Sequence, residues 1–84
     1  MDEHLYDDLV DEIRAVSKNV NGVIDTEKCY VRKTGIRFHV DLHVIVDSKI
    51  TVKEGHDIAH NLKDYLKNKI SQLADVLIHV EPDE

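Results

Sequence analysis

Residues 38–47 read Phe-His-Val-Asp-Leu-His-Val-Ile-Val-Asp, and this stretch decides the fold. Phe38, Val40, Leu42, Val44 and Val46 alternate with His39, Asp41, His43 and Asp47. Successive side chains of a strand point to opposite faces, so the pattern is that of a strand with one face buried and one face polar. Ile45 breaks the alternation and puts an apolar side chain on the polar face.

Toward the N-terminus, residues 27–34 read as a weaker strand through Cys29, Tyr30 and Val31, and Thr34-Gly35 supplies turn chemistry for a hairpin. Before it, Leu5, Leu9, Ile13, Val16 and Val20 recur at helical period, with acids crowding the helix start where the dipole favours them. Asn21-Gly22 is the expected stop, because both residues accept the left-handed conformation. Toward the C-terminus, Thr51 with Glu54 three residues on predicts a capping box. Ile58, Ala59, Leu62, Leu66, Ile70 and Leu73 form the stripe of the helix it opens. A last strand, residues 76–81, alternates Val76, Ile78 and Val80 against Leu77, His79 and Glu81, and Pro82 ends its pairing.

The order α-β-β-α-β predicts an α+β two-layer sandwich of ferredoxin-like type, a three-stranded sheet with two helices on one face. The chain of 84 residues is a single domain, residues 1–84. A domain of this size buries only about 60% of the surface its unfolded chain exposes. The thin core and the open sheet face, which carries Ile45 and Leu77, both point to a dimer.

Composition excludes several classes. A net charge of −6 argues against nucleic acid, whose phosphates need a basic stripe, and suits cations. A single cysteine, Cys29, excludes an internal disulfide and the CxxC pair of a copper-carrying domain, and reads as a small buried hydrophobe. No apolar run approaches the roughly 18 residues that span a bilayer. Arg14, Arg32 and Arg37 stand in no glycine-rich phosphate loop, so an acylphosphatase-like hydrolase is not supported and no enzyme is expected.

The six histidines are the candidates for chemistry. His39, Asp41 and His43 share one strand face, and His79 and Glu81 repeat that arrangement on the last strand. Imidazole nitrogen with carboxylate oxygen suits zinc, and also manganese, iron, cobalt or nickel. His56 and His60 lie one helical turn apart, off the apolar stripe, where such a pair could clamp one ion; no Glu follows the first to make an HExxH protease motif. The bland reading of His39, Asp41 and Asp47 is a solvated polar face, and His4 reads as a residue of a frayed terminus. Spacing alone leaves ligand roles for His43, His56, His79 and Glu81 open.

Read together, Gly22-Val23, Arg32-Lys33-Thr34-Gly35, Phe38 to His43, Val52 to His56, and Ile78-His79-Val80-Glu81-Pro82 resemble the cytoplasmic C-terminal domain of cation diffusion facilitators. The resemblance spans about residues 5–82. It implies a regulatory metal-binding and dimerisation domain of a divalent-cation efflux transporter, with metal shifting the dimer toward a closed arrangement. It also implies a cytoplasmic part of an integral membrane protein, whose own transmembrane domain, absent from this chain, would be a partner. The implied ligands are His43, His56, His79 and Glu81. Where family members often carry a histidine at the start of the first strand, this chain has Glu27, which either supplies an oxygen ligand or leaves that part of the site missing. Zinc is the first expectation for the ion, with manganese, iron, cobalt, nickel or cadmium as alternatives. The rival reading is a stand-alone ferredoxin-like dimeric module for ligand binding or assembly, with no metal role.

Overall fold

A computed structural model describes residues 5–84, in the order α1 (Asp7–Ser17), β1 (Asp25–Thr34), β2 (Arg37–Val46), α2 (Val52–Lys69) and β3 (Leu73–Pro82). The expected α-β-β-α-β order is therefore the one observed; His4 lies outside the described residues. No helix among these residues is long and apolar enough to cross a membrane.

The decisive stretch forms the central strand. β2 pairs antiparallel with β1 on one side and parallel with β3 on the other. A parallel neighbour requires a crossover, and α2 is that crossover. Val40, Leu42, Val44 and Val46 are between 0% and 3% exposed. They meet Leu9 and Ile13 of α1 and Leu62 and Leu66 of α2 in one core, so both helices lie on the same face of the sheet. His39, Asp41, His43 and Ile45 alternate onto the other face, which no element among the described residues covers.

Local chemistry sets the boundaries. Thr51 Oγ1 accepts from Glu54 N–H at 3.0 Å while Glu54 Oε1 accepts from Thr51 N–H at 2.8 Å, which is the capping box expected from sequence. α1 stops at Ser17, short of Asn21-Gly22. Ser17 is buried and its hydroxyl donates back to the Ile13 carbonyl at 2.6 Å, after which Asn19 and Val20 donate three residues back in a tighter turn. Gly22, at φ 97°, instead turns the chain into β1, and a methyl group there would stand 2.6 Å from Ile58 Cδ1. At the hairpin, Thr34 pairs with Arg37 across Gly35-Ile36, with Gly35 at φ 64°. Ile70 and Leu73, expected on the α2 stripe, are buried beyond its last residue, and β3 begins at Leu73 rather than Val76.

One irregularity matters for the site. Thr26 pairs with Val44 and Cys29 with Leu42, so Glu27 and Lys28 both stand opposite the single residue His43. This is a β-bulge, which re-aims side chains and bends the strand.

Candidate metal centre

β2 and β3 run parallel in a register that places His43 beside His79. Because Leu42 and Val44 point into the core, both imidazoles emerge on the open face of the sheet. Their rings stack with centroids 4.4 Å apart and planes 15° from parallel. Two residues beyond His79 along the same face, Glu81 returns to His43, with Oε2 2.5 Å from Nδ1. Tyr30 of β1 presents its ring edge-on to His43 at 6.4 Å.

The electrostatics follow from these contacts. The Glu81 carboxyl is held below the usual carboxylate range, first by its hydrogen bond to His43, against burial that raises it, and then by contacts with Glu27 and the charge of Lys28. An ionised Glu81 accepts, so His43 Nδ1 donates, and in the neutral imidazole that makes Nε2 the nitrogen with the free lone pair. A carboxylate that fixes the tautomer of a histidine in this way is the usual support for a metal-binding imidazole. The bulge brings Glu27 to Glu81.

His43 and Glu81 side chains are 20% and 35% exposed, so the cluster is open enough for an ion to enter. The donor set, two imidazoles and two carboxyl groups, fits a divalent transition ion. In the conformation described, no three His, Cys, Asp or Glu side chains among the described residues converge on one point.

Of the residues singled out from sequence, the fold gathers His43, His79, Glu81 and Glu27. It does not bring His56 to them. α2 covers the inner face, and His56 borders an open groove of about 490 Å³ with Ile50, Ile78, Val80 and Pro82 at the edge of β3. His56 stacks instead on His60, at 6.2 Å. His39 and Asp41 share the open face with His43 but pair with Arg32 and Tyr30 of β1. Sequence reasoning missed Tyr30 and Lys28. An extra residue in β1 breaks the period of two there, and the only signal was the weakness of the alternation before Cys29.

Residues 5–83 match the family described as cation efflux protein, cytoplasmic domain, whose model is a dimer-forming unit. The chain is 30% identical over 82 residues to the manganese efflux system protein MneP of Bacillus subtilis, which covers 98% of this chain and 28% of that protein. It is 28% identical over 72 residues to metal tolerance protein 2 of Oryza sativa, covering 86% of this chain and 18% of that one. Among solved structures, the MamM CTD in a cadmium form superposes with a TM-score of 0.90 at 20% identity, covering 94% of this chain and 99% of that chain. That likeness establishes the fold. The chain spans less than a third of the length of these curated relatives.

Proposed function

The chain belongs to the family of cation efflux protein cytoplasmic domains, and from that membership we propose that it is the metal-responsive, dimer-forming part of a divalent-cation efflux transporter. The observation that supports this most is the gathering of His43, His79, Glu81 and Glu27 on a sheet face that no element among the described residues covers. His43 and His79 offer nitrogen, Glu81 orients His43 or exchanges its hydrogen bond for the ion, and Glu27 adds oxygen across the bulge. On this reading Glu27 supplies an oxygen ligand where the family resemblance implies a histidine.

Zinc is the proposed ion. Two imidazoles favour it, and at a mixed nitrogen and oxygen site zinc outranks manganese in affinity. The manganese efflux relative makes Mn2+ the competitor to test. Regulation would be linkage: an ion that binds one arrangement of the two subunits better than the other shifts the pair toward it. The proposed shift is toward a closed dimer. The acidic chain, net charge −6, raises the local cation concentration and eases binding.

Calorimetric titration of metal-free protein with Zn2+ and Mn2+, beside light scattering and small-angle scattering, tests this reading. The expected results are twice the 9.7 kDa chain mass, tighter binding of Zn2+ than of Mn2+, and a smaller radius of gyration with metal. A monomer with and without metal would overturn the dimer mechanism. Unchanged dimensions on saturation would leave a structural site without regulation, and absence of binding would favour the stand-alone assembly module.

A further inference from the structure

We propose that His56 and His60 form a second divalent-cation site, on the solvent-facing side of α2, which takes a borderline ion such as Zn2+ or Ni2+ independently of the sheet-face cluster. Residues four apart on a helix stand one above the other, with Cβ atoms about 5–6 Å apart. The two imidazoles follow that geometry, with centroids 6.2 Å apart and planes 10° from parallel. Both residues are exposed, so an ion reaches their ring nitrogens directly from solvent, exchanging water for imidazole.

The backbone that holds them is already fixed. His56 lies in the second turn of an 18-residue helix closed by the Thr51–Glu54 capping box. Chelation therefore requires only side-chain rotation to bring the nitrogens together. One turn on, Asp64 Oδ2 lies 4.0 Å from His60 Nε2, an oxygen donor next to the pair. Lys63 lines a groove of about 220 Å³ together with the two histidines, but its ammonium sits 3.5 Å from Asp75, which offsets its repulsion toward a cation. Leu77 and Ile78 of β3 form the apolar wall of that groove.

The two clusters lie on different layers. α2 packs Leu62 and Leu66 against Leu42 and Val44, on the inner face of the sheet, whereas His43 and His79 project from the outer face. Each can be loaded without the other. The proposal does not rest on the regulatory reading of the sheet-face site.

The test is calorimetric titration with Zn2+, repeated with Ni2+, on five proteins: the parent, His60→Ala, the composition-preserving double variant His60→Asn with Asn61→His, the triple variant His43→Ala with His79→Ala and His60→Ala, and the double variant His43→Ala with His79→Ala. The last should keep one binding event per chain. Adding His60→Ala to it should remove that event or weaken it at least tenfold. The relocated histidine should do the same, because it breaks the one-turn spacing while keeping the histidine count. Since residues 60 and 61 are exposed and His43 and His79 lie outside the core, circular dichroism should show all five proteins folded. Binding unchanged by His60→Ala in both backgrounds would overturn the site, and retention by the relocated variant would overturn the chelate. Loss of all binding on removing His43 and His79 would also overturn it. The opposite pattern, binding that depends on His60 and ignores His43 and His79, would support it while removing the sheet-face reading.

Discussion

Leu42 and His43 are neighbours in the chain and live in different environments. Leu42 is wholly enclosed, packed with side chains of both helices, while His43 stands on the open face against His79, Glu81 and Tyr30. The same contrast runs along the whole of β2, because a strand sends alternate residues to opposite sides. The inner face holds the fold together through apolar burial. The outer face carries polar chemistry whose members touch one another and scarcely touch the core. A chain built this way can change the polar residues of its open face at little cost to folding.

The largest expected effect lies on the inner face. Leu42→Ala should cost about 2–5 kcal/mol, the transfer of the lost atoms plus the cavity they leave. For a domain whose total stability is on the order of 5–15 kcal/mol, that is a large part of the whole. Urea unfolding measures it. A loss below about 1 kcal/mol would mean that the core relaxes into the space, and that the two faces share the work of folding.

His43→Ala should show the converse. Zinc affinity at the sheet-face site should fall tenfold or more, while the metal-free protein loses only about 1 kcal/mol, the net worth of the hydrogen bond to Glu81, since no core contact is removed. Titration and unfolding on the same preparation check both halves. A stability loss comparable to that of Leu42→Ala would break the division between faces; unchanged affinity would return His43 to an ordinary solvated residue.

The inner face was legible in the sequence almost throughout. The alternation from Phe38 to Val46, the α2 stripe at Leu62 and Leu66 and the Thr51–Glu54 capping box are local patterns, and local patterns are what a sequence displays. The misplaced boundaries have physical causes. Helical period continues to Val20, but the hydroxyl of Ser17 and the i−3 bonds after it close α1 early. Ile70 and Leu73 keep the spacing of the stripe while lying past the helix. The site was less legible because its parts meet only through register. The pairing of His43 with His79 depends on which residues of two distant strands align, and the approach of Glu27 to Glu81 depends on a bulge that no residue pattern announced. The grouping of His56 with the strand histidines came from family resemblance, and the separation of layers that sets it apart is visible only in three dimensions.

The helix layer offers a finer probe. Thr51→Ala removes the hydroxyl that accepts from Glu54 N–H and should cost about 1 kcal/mol. The first turn of α2 would fray toward His56, whereas the sheet-face donors hang from β1, β2 and β3. Zinc binding by the His56–His60 pair should therefore weaken while binding at His43 and His79 holds. Titration in backgrounds that leave one site at a time separates the two. Equal weakening of both would show that the layers are coupled through α2, against the independence argued from their geometry.

The smallest expected effect lies at the seam between the layers. Asp75 Oδ1 accepts from Val76 N–H at 2.9 Å, and Lys63 reaches across from α2 to within 3.5 Å of the same carboxylate. The backbone bond, and then the lysine charge, hold the Asp75 carboxyl below its ordinary value of 3.8. A folded value lower than the unfolded one means that the stabilisation is fully present above 3.8 and is lost as pH falls through the folded value. Asp75→Asn keeps an acceptor for Val76 and removes the charge. At neutral pH the variant should melt slightly below the parent, by a margin that salt reduces, because the pair is exposed. Well below 3.8 the parent carboxyl is protonated too, and the two melting curves should converge. Melts of metal-free protein across the acid range read the difference directly. A gap that persists in strong acid would show that the side chain acts through shape alone and that the ion pair with Lys63 does not help to tie helix to strand.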